Sequence, residues 1–301
     1  MNAAPGKVLI SGSSGLIGAA LVRHLAAEGW QITRLVRTPS SGPGQISWDP
    51  RKPLPPAAVS GFDAVLHLAG ESIAARWTEA RKQAIRDSRV VGTRTLSEAL
   101  AQSAKPPALL VAASAIGYYG DRGDEVLGEQ SPAGRGFLAE VCGEWESSTQ
   151  PAAKAGIRTV QARFGVVLAR SGGALSKMLT PFRVGIGGNL GSGRQWWSWV
   201  ALDDVLGVIE HILKMDTLEG PVNVVSPNPV TNREFTKSLA SVLSRPSVFP
   251  MPALAARLAL GQMADELLLS SQRVDPARLR SSGYRFRHTD LRPALEAILK
   301  K

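Results

Sequence analysis

The sequence predicts an α/β fold: a doubly wound parallel sheet followed by a smaller, mostly helical C-terminal lobe. Short apolar runs alternate with helix-like stretches through the first half of the chain. This alternation is typical of a parallel sheet that helices cover on both faces. The glycine-rich segment after residue 168 breaks the alternation. We therefore expect a sheet domain over residues 1–168 and a substrate-binding lobe over residues 169–301, with elements around 203–226 able to return to the sheet domain.

Five apolar runs are the candidate strands, and they cover residues 7–11, 31–37, 63–70, 108–114 and 157–168. The stretches between them carry apolar side chains at helical spacing. The predicted helices there cover residues 16–28, 78–102 and 136–155. Further along we expect helices near 173–183, 203–214 and 231–244, a strand at 220–226 and a helical tail from 251.

Three glycines follow the first predicted strand at a spacing of three residues, in the segment SGSSGLIG. Between a strand and a helix, such glycines permit a tight turn, a close approach of the backbone to a pyrophosphate and close helix packing. The start of the helix offers unpaired N–H groups and the positive end of its dipole. The sequence thus predicts a Rossmann-type dinucleotide cradle. The residues expected to bind the cofactor there are Gly12, Ser13, Ser14, Gly15, Leu16, Ile17 and Gly18.

The end of the second predicted strand indicates which dinucleotide binds. Enzymes that use NAD usually place an acidic residue there, which accepts hydrogen bonds from the ribose hydroxyls. This strand ends TRLVR, with Arg37 as its last residue and no acidic residue nearby. A guanidinium there would attract the 2′-phosphate of NADP(H). We therefore favour NADP(H), with NAD as the alternative.

Composition and charge exclude several other classes of protein. The net charge is +10, but the basic residues are scattered and form no tract or aromatic-interleaved stripe, so we expect no nucleic-acid partner. No apolar run is long enough to span a bilayer, and no signal-peptide segment is evident, so we expect no membrane association. The lone Cys142 suits a reducing cytoplasm. Neither metal-ligand spacing nor a G-x-S-x-G motif is present, which argues against a metal site and a hydrolase.

Several phrases in the chain resemble the short-chain dehydrogenase/reductase superfamily, in its extended or atypical branch. They are SGSSGLIG, DAVLHLAG, VVGTRTLSEAL, VAASAIGYYG and WVALDDV. The phrases RWTEARKQAIRDSRVVGT, SAIGYYGDRGDE, FLAEVCGEWE and GSGRQWWSWVALDDV are similar to those of uncharacterised epimerase-like proteins with a short helical C-terminal domain. The resemblance covers essentially the whole chain. It implies that the DAVLHLAG phrase contributes further cofactor contacts, namely Leu68, Ala69 and Gly70.

The resemblance also implies a catalytic Ser and a Tyr-x-x-x-Lys, which this chain has only in part. The lysine and the cofactor lower the pKa of the tyrosine, so that it can move a proton while hydride moves. Ser114 matches the serine. Phe137 stands at the tyrosine position and Val141 at the lysine position, so neither the proton nor the charge is available there.

Two further positions depart from the extended enzymes. Arg89 stands where an asparagine is usual, and Trp197 stands where an arginine grips a substrate's diphosphate. Arg194 is a nearby substitute for that arginine. Trp196, Trp197 and Trp199 are expected either to floor a substrate pocket or to pack between the lobes. We predict Arg194 and Trp197 as substrate-binding residues, while a nucleotide-sugar substrate becomes doubtful.

The remaining titratable groups near the strand ends are candidates for the missing chemistry. Tyr118 is the preferred acid or base beside Ser114, with Tyr119 as a weaker candidate. Glu71 either binds a polar substrate or caps the next helix, and we predict it as substrate-binding. His67 lies within an apolar strand and is expected to be a satisfied interior histidine rather than a base.

Two functions remain open from the sequence. The first is an NADP(H)-binding, epimerase-like oxidoreductase that acts on a small polar or sugar-like substrate through Ser114 and Tyr118. The second is a non-catalytic dinucleotide-binding sensor or scaffold, which the residues Phe137 and Val141 favour. Either form could be a homodimer.

Overall fold

The computed structural model describes residues 5–38 and 42–300. Its strands are β1 (Lys7–Ser11), β2 (Gln31–Val36), β3 (Gln45–Ser47), β4 (Ala64–His67), β5 (Leu109–Ala115), β6 (Val126–Leu127), β7 (Arg158–Phe164), β8 (Val166–Leu168), β9 (Trp196–Trp197), β10 (Trp199–Ala201), β11 (Gly220–Val224), β12 (Val230–Thr231) and β13 (Arg273–Val274). Its helices are α1 (Leu16–Ala27), α2 (Glu79–Ala101), α3 (Phe137–Ser147), α4 (Gln150–Lys154), α5 (Gly173–Arg183), α6 (Leu202–Lys214), α7 (Asn232–Leu243), α8 (Ala253–Leu260), α9 (Ala277–Ser281) and α10 (Leu291–Lys300). Single turns of tighter or wider helix cover Pro56–Val59, Ile116–Tyr119 and Ala264–Leu269.

The main sheet has seven parallel strands in the order β3-β2-β1-β4-β5-β7-β11. The strand order reverses between β1 and β4, and parallel sheets of this kind bind ligands in the crevice beyond the carboxyl ends of their strands at that point. The predicted doubly wound Rossmann fold is therefore confirmed. The glycine loop after β1 lies at the reversal.

Alternating side chains of the strands build one core on each face of the sheet. Val8 and Ile10 belong to one cluster, with α1 and α6. Leu9 belongs to the other, with α2 and α4. Because successive residues of a strand point to opposite faces, a strand buried on both sides is apolar throughout. That is why the sequence of β1 reads as an unbroken apolar run.

The second half of the chain contributes to both regions. β11 pairs with β7 in the main sheet, and α6 packs against α1. The predicted strand 157–168 is instead two strands, broken at Gly165, where a Cβ would lie 2.5 Å from the carbonyl oxygen of Ser198. The tail from 251 is mostly helical but includes β13, which pairs with β6.

Asp204 fastens the C-terminal tail to the sheet domain. Its carboxylate is fully buried and accepts hydrogen bonds from the backbone N–H groups of Arg287 (2.7 Å) and His288 (3.0 Å). The Tyr284 hydroxyl donates to the same carboxylate at 3.2 Å. Burial raises the pKa of Tyr284 above its usual range, so this hydroxyl stays protonated as a donor.

Over the described ranges, no helix combines the length and the apolar character that a membrane span requires.

Candidate functional site

The glycine loop turns tightly between β1 and α1. Gly12 has a φ of 68°, in the left-handed region that favours glycine. A Cβ on Gly12 would lie 2.6 Å from the carbonyl carbon of Leu68, and one on Gly18 would lie 2.2 Å from the carbonyl oxygen of Gly12. The N–H of Gly15 donates to that same carbonyl at 3.0 Å, which closes the turn. Backbone packing therefore requires glycine at both Gly12 and Gly18.

The N-terminus of α1 has no side-chain cap. Gly15 is its N-cap residue, and both Ser14 and Gly15 are exposed. The N–H groups of the first helical turn are therefore available to an anion, and the helix dipole adds positive potential there. These features fit the diphosphate of a dinucleotide. The seven residues predicted for the cradle lie in the glycine loop and the first turn of α1.

The segment Leu68–Gly70 lies directly beside the glycine loop. β1 and β4 are neighbours, and the Leu68 N–H donates to the carbonyl (3.3 Å) and the hydroxyl oxygen (3.2 Å) of Ser11. The Leu68–Ala69 peptide is also what a side chain at Gly12 would strike. The structure thus brings the two predicted groups of cofactor-binding residues together.

His67 holds this junction from inside the sheet. Its Nδ1 is 2.7 Å from the Ser11 hydroxyl, and its Nε2 is 3.0 Å from the Thr93 hydroxyl. The Trp145 indole N–H donates to Thr93 as well, at 2.9 Å. Complete burial lowers the pKa of His67 to about 4, so it is neutral at pH 7. Its placement is that of a satisfied interior histidine.

Arg37 and Glu71 lie together at the β2 side of the loop. Arg37 is 78% exposed, and its Nη1 lies 4.0 Å from a carboxylate oxygen of Glu71. Arg81 holds the other oxygen of that carboxylate at 3.0 Å. The predicted substrate residue Glu71 is thus paired with cations beside the predicted cofactor residue Arg37. Most of the Arg37 guanidinium remains open to an anionic ligand.

The Ser114 side chain is part of a buried hydrogen-bond network. It is 2% exposed, and its hydroxyl donates to Glu146 at 2.6 Å. Both oxygens of Glu146 accept from Arg163 at 2.7 Å, and Arg163 also donates to the Tyr119 hydroxyl at 2.9 Å. The catalytic role predicted for Ser114 remains a prediction. This placement supports a structural role, because the hydroxyl proton already has a carboxylate acceptor.

The two tyrosines after β5 have different surroundings. The Tyr119 hydroxyl donates to Asn223 at 2.7 Å, and burial raises the pKa of Tyr119. The Tyr118 ring stacks on Arg163, whose guanidinium carbon lies 3.6 Å from the ring centre. Tyr118 is partly exposed, and its hydroxyl has no hydrogen bond to the described residues. Of the two phenols, Tyr118 is therefore the available one.

The position of the missing tyrosine, at the start of α3, is filled by apolar packing. The Phe137 ring lies 5.2 Å from the Trp77 ring, in a cluster that includes Met263 from the C-terminal region. Val141 is 1% exposed, and burial raises the pKa of Cys142 to about 12. None of these three α3 side chains can exchange a proton near neutral pH.

Glu266 caps the same helix from the C-terminal region. Its carboxylate accepts the backbone N–H groups of Phe137 (3.1 Å) and Leu138 (2.8 Å). The N-cap residue Gly136 has a φ of 107° and touches this carboxylate, since a Cβ there would lie 3.2 Å from it. The acidic cap thus fastens the C-terminal region to α3.

A polar cavity of about 220 Å³ opens between this cap and the turn after β5. The Arg135 side chain is exposed at this cavity, and the Ser270 hydroxyl is buried beside it without a hydrogen-bond partner among the described residues. Tyr118 and Ser114 are not part of the lining. The lining residues are Gly117, Gly120, Asp121, Arg135, Leu138, Ala139, Arg257, Asp265, Glu266, Leu269, Ser270 and Gln272.

A second cavity, of about 300 Å³, is mainly apolar and contains Trp197. The Trp197 ring packs 5.2 Å from Phe235, while the rim residues Ile186 and Phe249 are exposed. Arg194 is exposed on the preceding loop and is not part of this lining. The two predicted substrate residues are therefore not brought together. Trp199, by contrast, is fully buried in the core.

Sequence reasoning missed three features of the site. Gly172 and Gly173 cover Leu16 of the glycine loop, with added Cβ atoms 3.3 and 3.0 Å from its side chain. Glu266 and its cap on α3 were also missed, because the contact joins residues more than 120 positions apart. Arg89, noted only as a departure from the related enzymes, lies against Gly70. The segment RSGGAL was the one local signal available for the first feature.

Within the part of the chain that the structure describes, no group of three or more His, Cys, Asp or Glu side chains is placed to hold a metal ion.

Two family models match separate parts of the chain. Residues 8–225 match the NAD dependent epimerase/dehydratase family. Residues 251–298 match a domain of unknown function, DUF1731.

Individual relatives cover nearly the whole chain. An epimerase family protein of Mycobacterium bovis is 43% identical over 290 residues, which are 96% of each chain. The crystal structure of the human epimerase family protein SDR39U1 with NADPH superposes with a TM-score of 0.90 at 34% identity, covering 98% of this chain and 99% of the other. A nucleoside-diphosphate sugar epimerase of Corynebacterium glutamicum is 39% identical with a TM-score of 0.83, covering 98% of this chain and 58% of the other.

Proposed function

The chain belongs to the NAD dependent epimerase/dehydratase family, and we propose that it binds NADP(H) and acts as an epimerase-like oxidoreductase on a small polar or sugar-like substrate. The observation that carries this proposal is the uncapped start of α1 beneath a glycine turn, with Arg37 and no acidic residue at the end of β2. The human relative crystallised with NADPH supports the same choice of cofactor.

The residues of the cradle divide the work of holding the cofactor. The backbone N–H groups of the loop and of the first turn of α1, apart from that of Gly15, would hold the diphosphate. Arg37 would pair with the 2′-phosphate, and Arg81 supports this by drawing the Glu71 carboxylate to itself. When bound, the nicotinamide supplies hydride transfer.

The polar cavity is the proposed place for the substrate. It borders the turn after β5, the region that follows the strand next to β4, and its donors include the Arg135 guanidinium and the unpartnered Ser270 hydroxyl. Glu266 lies there as an acceptor. Cavities that combine apolar walls with a few polar groups are the usual form of small-molecule sites.

Proton transfer is assigned to Tyr118, whose hydroxyl has no hydrogen-bond partner among the described residues and which lies in the chain between two lining residues of the cavity, Gly117 and Gly120. Ser114 supports the turn that carries Tyr118, because its bond to Glu146 orients Arg163 beneath the ring. Phe137 packs against Trp77 at the start of α3 and offers no proton there.

A non-catalytic sensor or scaffold is the second candidate function. It is favoured by a specific observation: neither Ser114 nor Tyr118 lines the polar cavity, and the usual tyrosine position is sealed by Phe137 and Trp77. Such a protein would bind the dinucleotide without turning it over.

Consumption of NADPH distinguishes the two functions. Purified protein is mixed with NADPH and a broad panel of aldehydes, ketones and keto sugars, and the absorbance of NADPH is followed. The oxidoreductase proposal expects consumption with at least one compound, loss of that activity in Tyr118→Phe, and NADPH affinity unchanged in the variant. Tight NADPH binding with no consumption across the panel would instead establish the binding protein.

A further inference from the structure

Arg89 is a partly buried cation beside the predicted cofactor groove. It projects from α2 towards Gly70, where a Cβ would lie 3.3 Å from the guanidinium carbon. Its Nη1 donates to the carbonyls of Glu71 (3.0 Å) and Ile85 (3.1 Å). The guanidinium also lies 5.0 Å from the centre of the Trp145 ring, on α3.

No carboxylate of the described residues lies within ion-pair distance of this guanidinium, although the charge of Glu71 acts on it from further away. Across residues 5–38 and 42–300, Arg89 forms no ion pair, and its Nε and Nη2 hydrogens have no acceptor. The acidic group nearest in sequence, Glu71, gives its carboxylate to Arg81 and Arg37 instead. Burial lowers the pKa of Arg89, yet a guanidinium stays charged at any ordinary pH. Because Nη1 is already bonded to two carbonyls while Nε and Nη2 are free, a ligand that supplies oxygen acceptors would gain charge-assisted hydrogen bonds there.

The sheet order fixes where Arg89 lies relative to the strand reversal at which a dinucleotide is expected to bind. Arg37 follows β2, the glycine loop follows β1, and Arg89 lies on the helix that follows β4. A dinucleotide bound at the strand reversal, with its 2′-phosphate at Arg37 and its diphosphate at the glycine loop, extends its other half over β4 and β5. Arg89 borders that half.

Arg89 packs against α3, the helix that in the enzymes the chain resembles carries the lysine of the Tyr-x-x-x-Lys pair. Val141 occupies the position of a lysine in the enzymes that the chain resembles, and Trp145 lies one helical turn further on the same face. Arg89 stacks on Trp145 from the neighbouring helix. Its charge is therefore about one turn away from the place where the lysine's charge is missing.

We propose that Arg89 binds the nicotinamide ribose-phosphate half of the dinucleotide and supplies the positive charge that Val141 cannot. This inference rests on the proposed function, because it assumes that NADP(H) occupies the groove. The free Nε and Nη2 hydrogens form a fork suited to two oxygen acceptors. Arg89 is thus a cofactor-binding residue on the β4 side of the groove, whereas Arg37 lies on its β2 side.

Two ligands of different length test the assignment by calorimetric titration. NADPH reaches both ends of the groove, whereas 2′,5′-ADP carries only the adenosine half with its 2′-phosphate. Arg89→Met is expected to weaken NADPH binding roughly 10- to 100-fold, the value of one or two charge-assisted hydrogen bonds, and to leave 2′,5′-ADP within twofold of wild type. Arg89→Lys keeps the charge and is expected to lie between Arg89→Met and wild type. Arg37→Met, the matched control, is expected to weaken both ligands.

The outcomes separate this inference from the proposed function. Wild-type protein that binds neither ligand would overturn both. Wild-type protein that binds both ligands, with NADPH affinity unchanged in Arg89→Met, would overturn the role of Arg89 alone. Equal losses of both ligands in Arg89→Met would assign the residue to the packing of α2 and α3, and would also contradict the inference.

Discussion

The helices α1 and α3 both start near the carboxyl ends of sheet strands, and their N-termini are treated in opposite ways. The start of α1 has no side-chain cap and lies open beside Ser14 and Gly15. The start of α3 is capped by the Glu266 carboxylate and covered by the cluster around Phe137. At both termini the first N–H groups have no partner within the helix, and the helix dipole is positive there.

The difference shows how one local feature can serve binding in one place and assembly in another. At α1 the protein leaves the anion site open, so an external anion must satisfy it. At α3 the protein supplies its own anion, and the same interaction anchors the C-terminal region. Related enzymes place a catalytic tyrosine at that second point, and here Phe137 is part of the anchored interface instead.

Acidification tests how much neutral His67, which lies beneath the glycine loop at the start of α1, contributes to the stability of the fold. The pKa of His67 is about 4 in the folded protein and near 6.5 when unfolded, so the unfolded chain takes up a proton first as the pH falls. The stability that neutral His67 contributes is complete above pH 6.5 and falls by about 3 kcal/mol as the pH approaches 4. Urea unfolding at several pH values measures this slope.

The variant His67→Gln serves as the control for that slope, since it has no titrating imidazole between Ser11 and Thr93. Its stability is expected to be lower at pH 7 but flatter between pH 6.5 and 4. Equal slopes in the two proteins would show that another group controls the acid response.

Alanine variants of two glycines in the loop before α1 separate an effect on folding from an effect on cofactor binding. Gly12→Ala forces a left-handed residue against the Leu68 backbone and is expected to lower the free energy of unfolding by about 1–3 kcal/mol, with loss of NADPH affinity. Gly15 has a φ of −74°, and its added Cβ would lie 3.4 Å from the nearest atom. Gly15→Ala should therefore keep its stability and lose affinity only, as thermal melts and titrations would show. Unchanged affinity in both variants would contradict the cradle.

Removing the Glu266 cap tests the start of α3, and of these predictions it has the smallest expected change in stability. Glu266→Ala deprives α3 of its acceptor for two N–H groups and is expected to lower the free energy of unfolding by about 1 kcal/mol. NADPH affinity should not change, because the cap lies outside the predicted cradle. Glu296→Ala, at a mostly exposed pair with Arg292, is the matched control and is expected to have little effect. A large loss of NADPH affinity in Glu266→Ala would show that the two ends are not independent.

The uncapped start of α1 was predictable from sequence and the capped start of α3 was not, for a physical reason. The cradle is built by neighbours in the chain: strand, glycines and helix within Lys7–Ala27 determine its turn, its packing and its dipole. Periodicity likewise located most strands and helices of the sheet. The cap of Glu266 on α3 and the anchor of Asp204 on the tail join residues 83 to 129 positions apart, and a single sequence contains no signal for such pairs.

The same limit explains what happened to the predicted catalytic groups. Ser114 was chosen by its place at the end of β5, but its side-chain direction depends on Glu146 and Arg163, which come from later elements. Trp197 was left between pocket and packing, and it lies in an apolar cavity against Phe235.

The affinity ratio of NADPH to NADH, measured by calorimetry in wild type and in Arg37→Asp, tests the central claim most directly. Wild type is expected to bind NADPH at least about tenfold more tightly than NADH, because a 2′-phosphate gains charge-assisted hydrogen bonds from Arg37. In Arg37→Asp the ratio should fall to one or below, since a second carboxylate would then lie near Glu71 and repel the phosphate. Equal affinities in wild type, or equal losses of both dinucleotides in the variant, would contradict it.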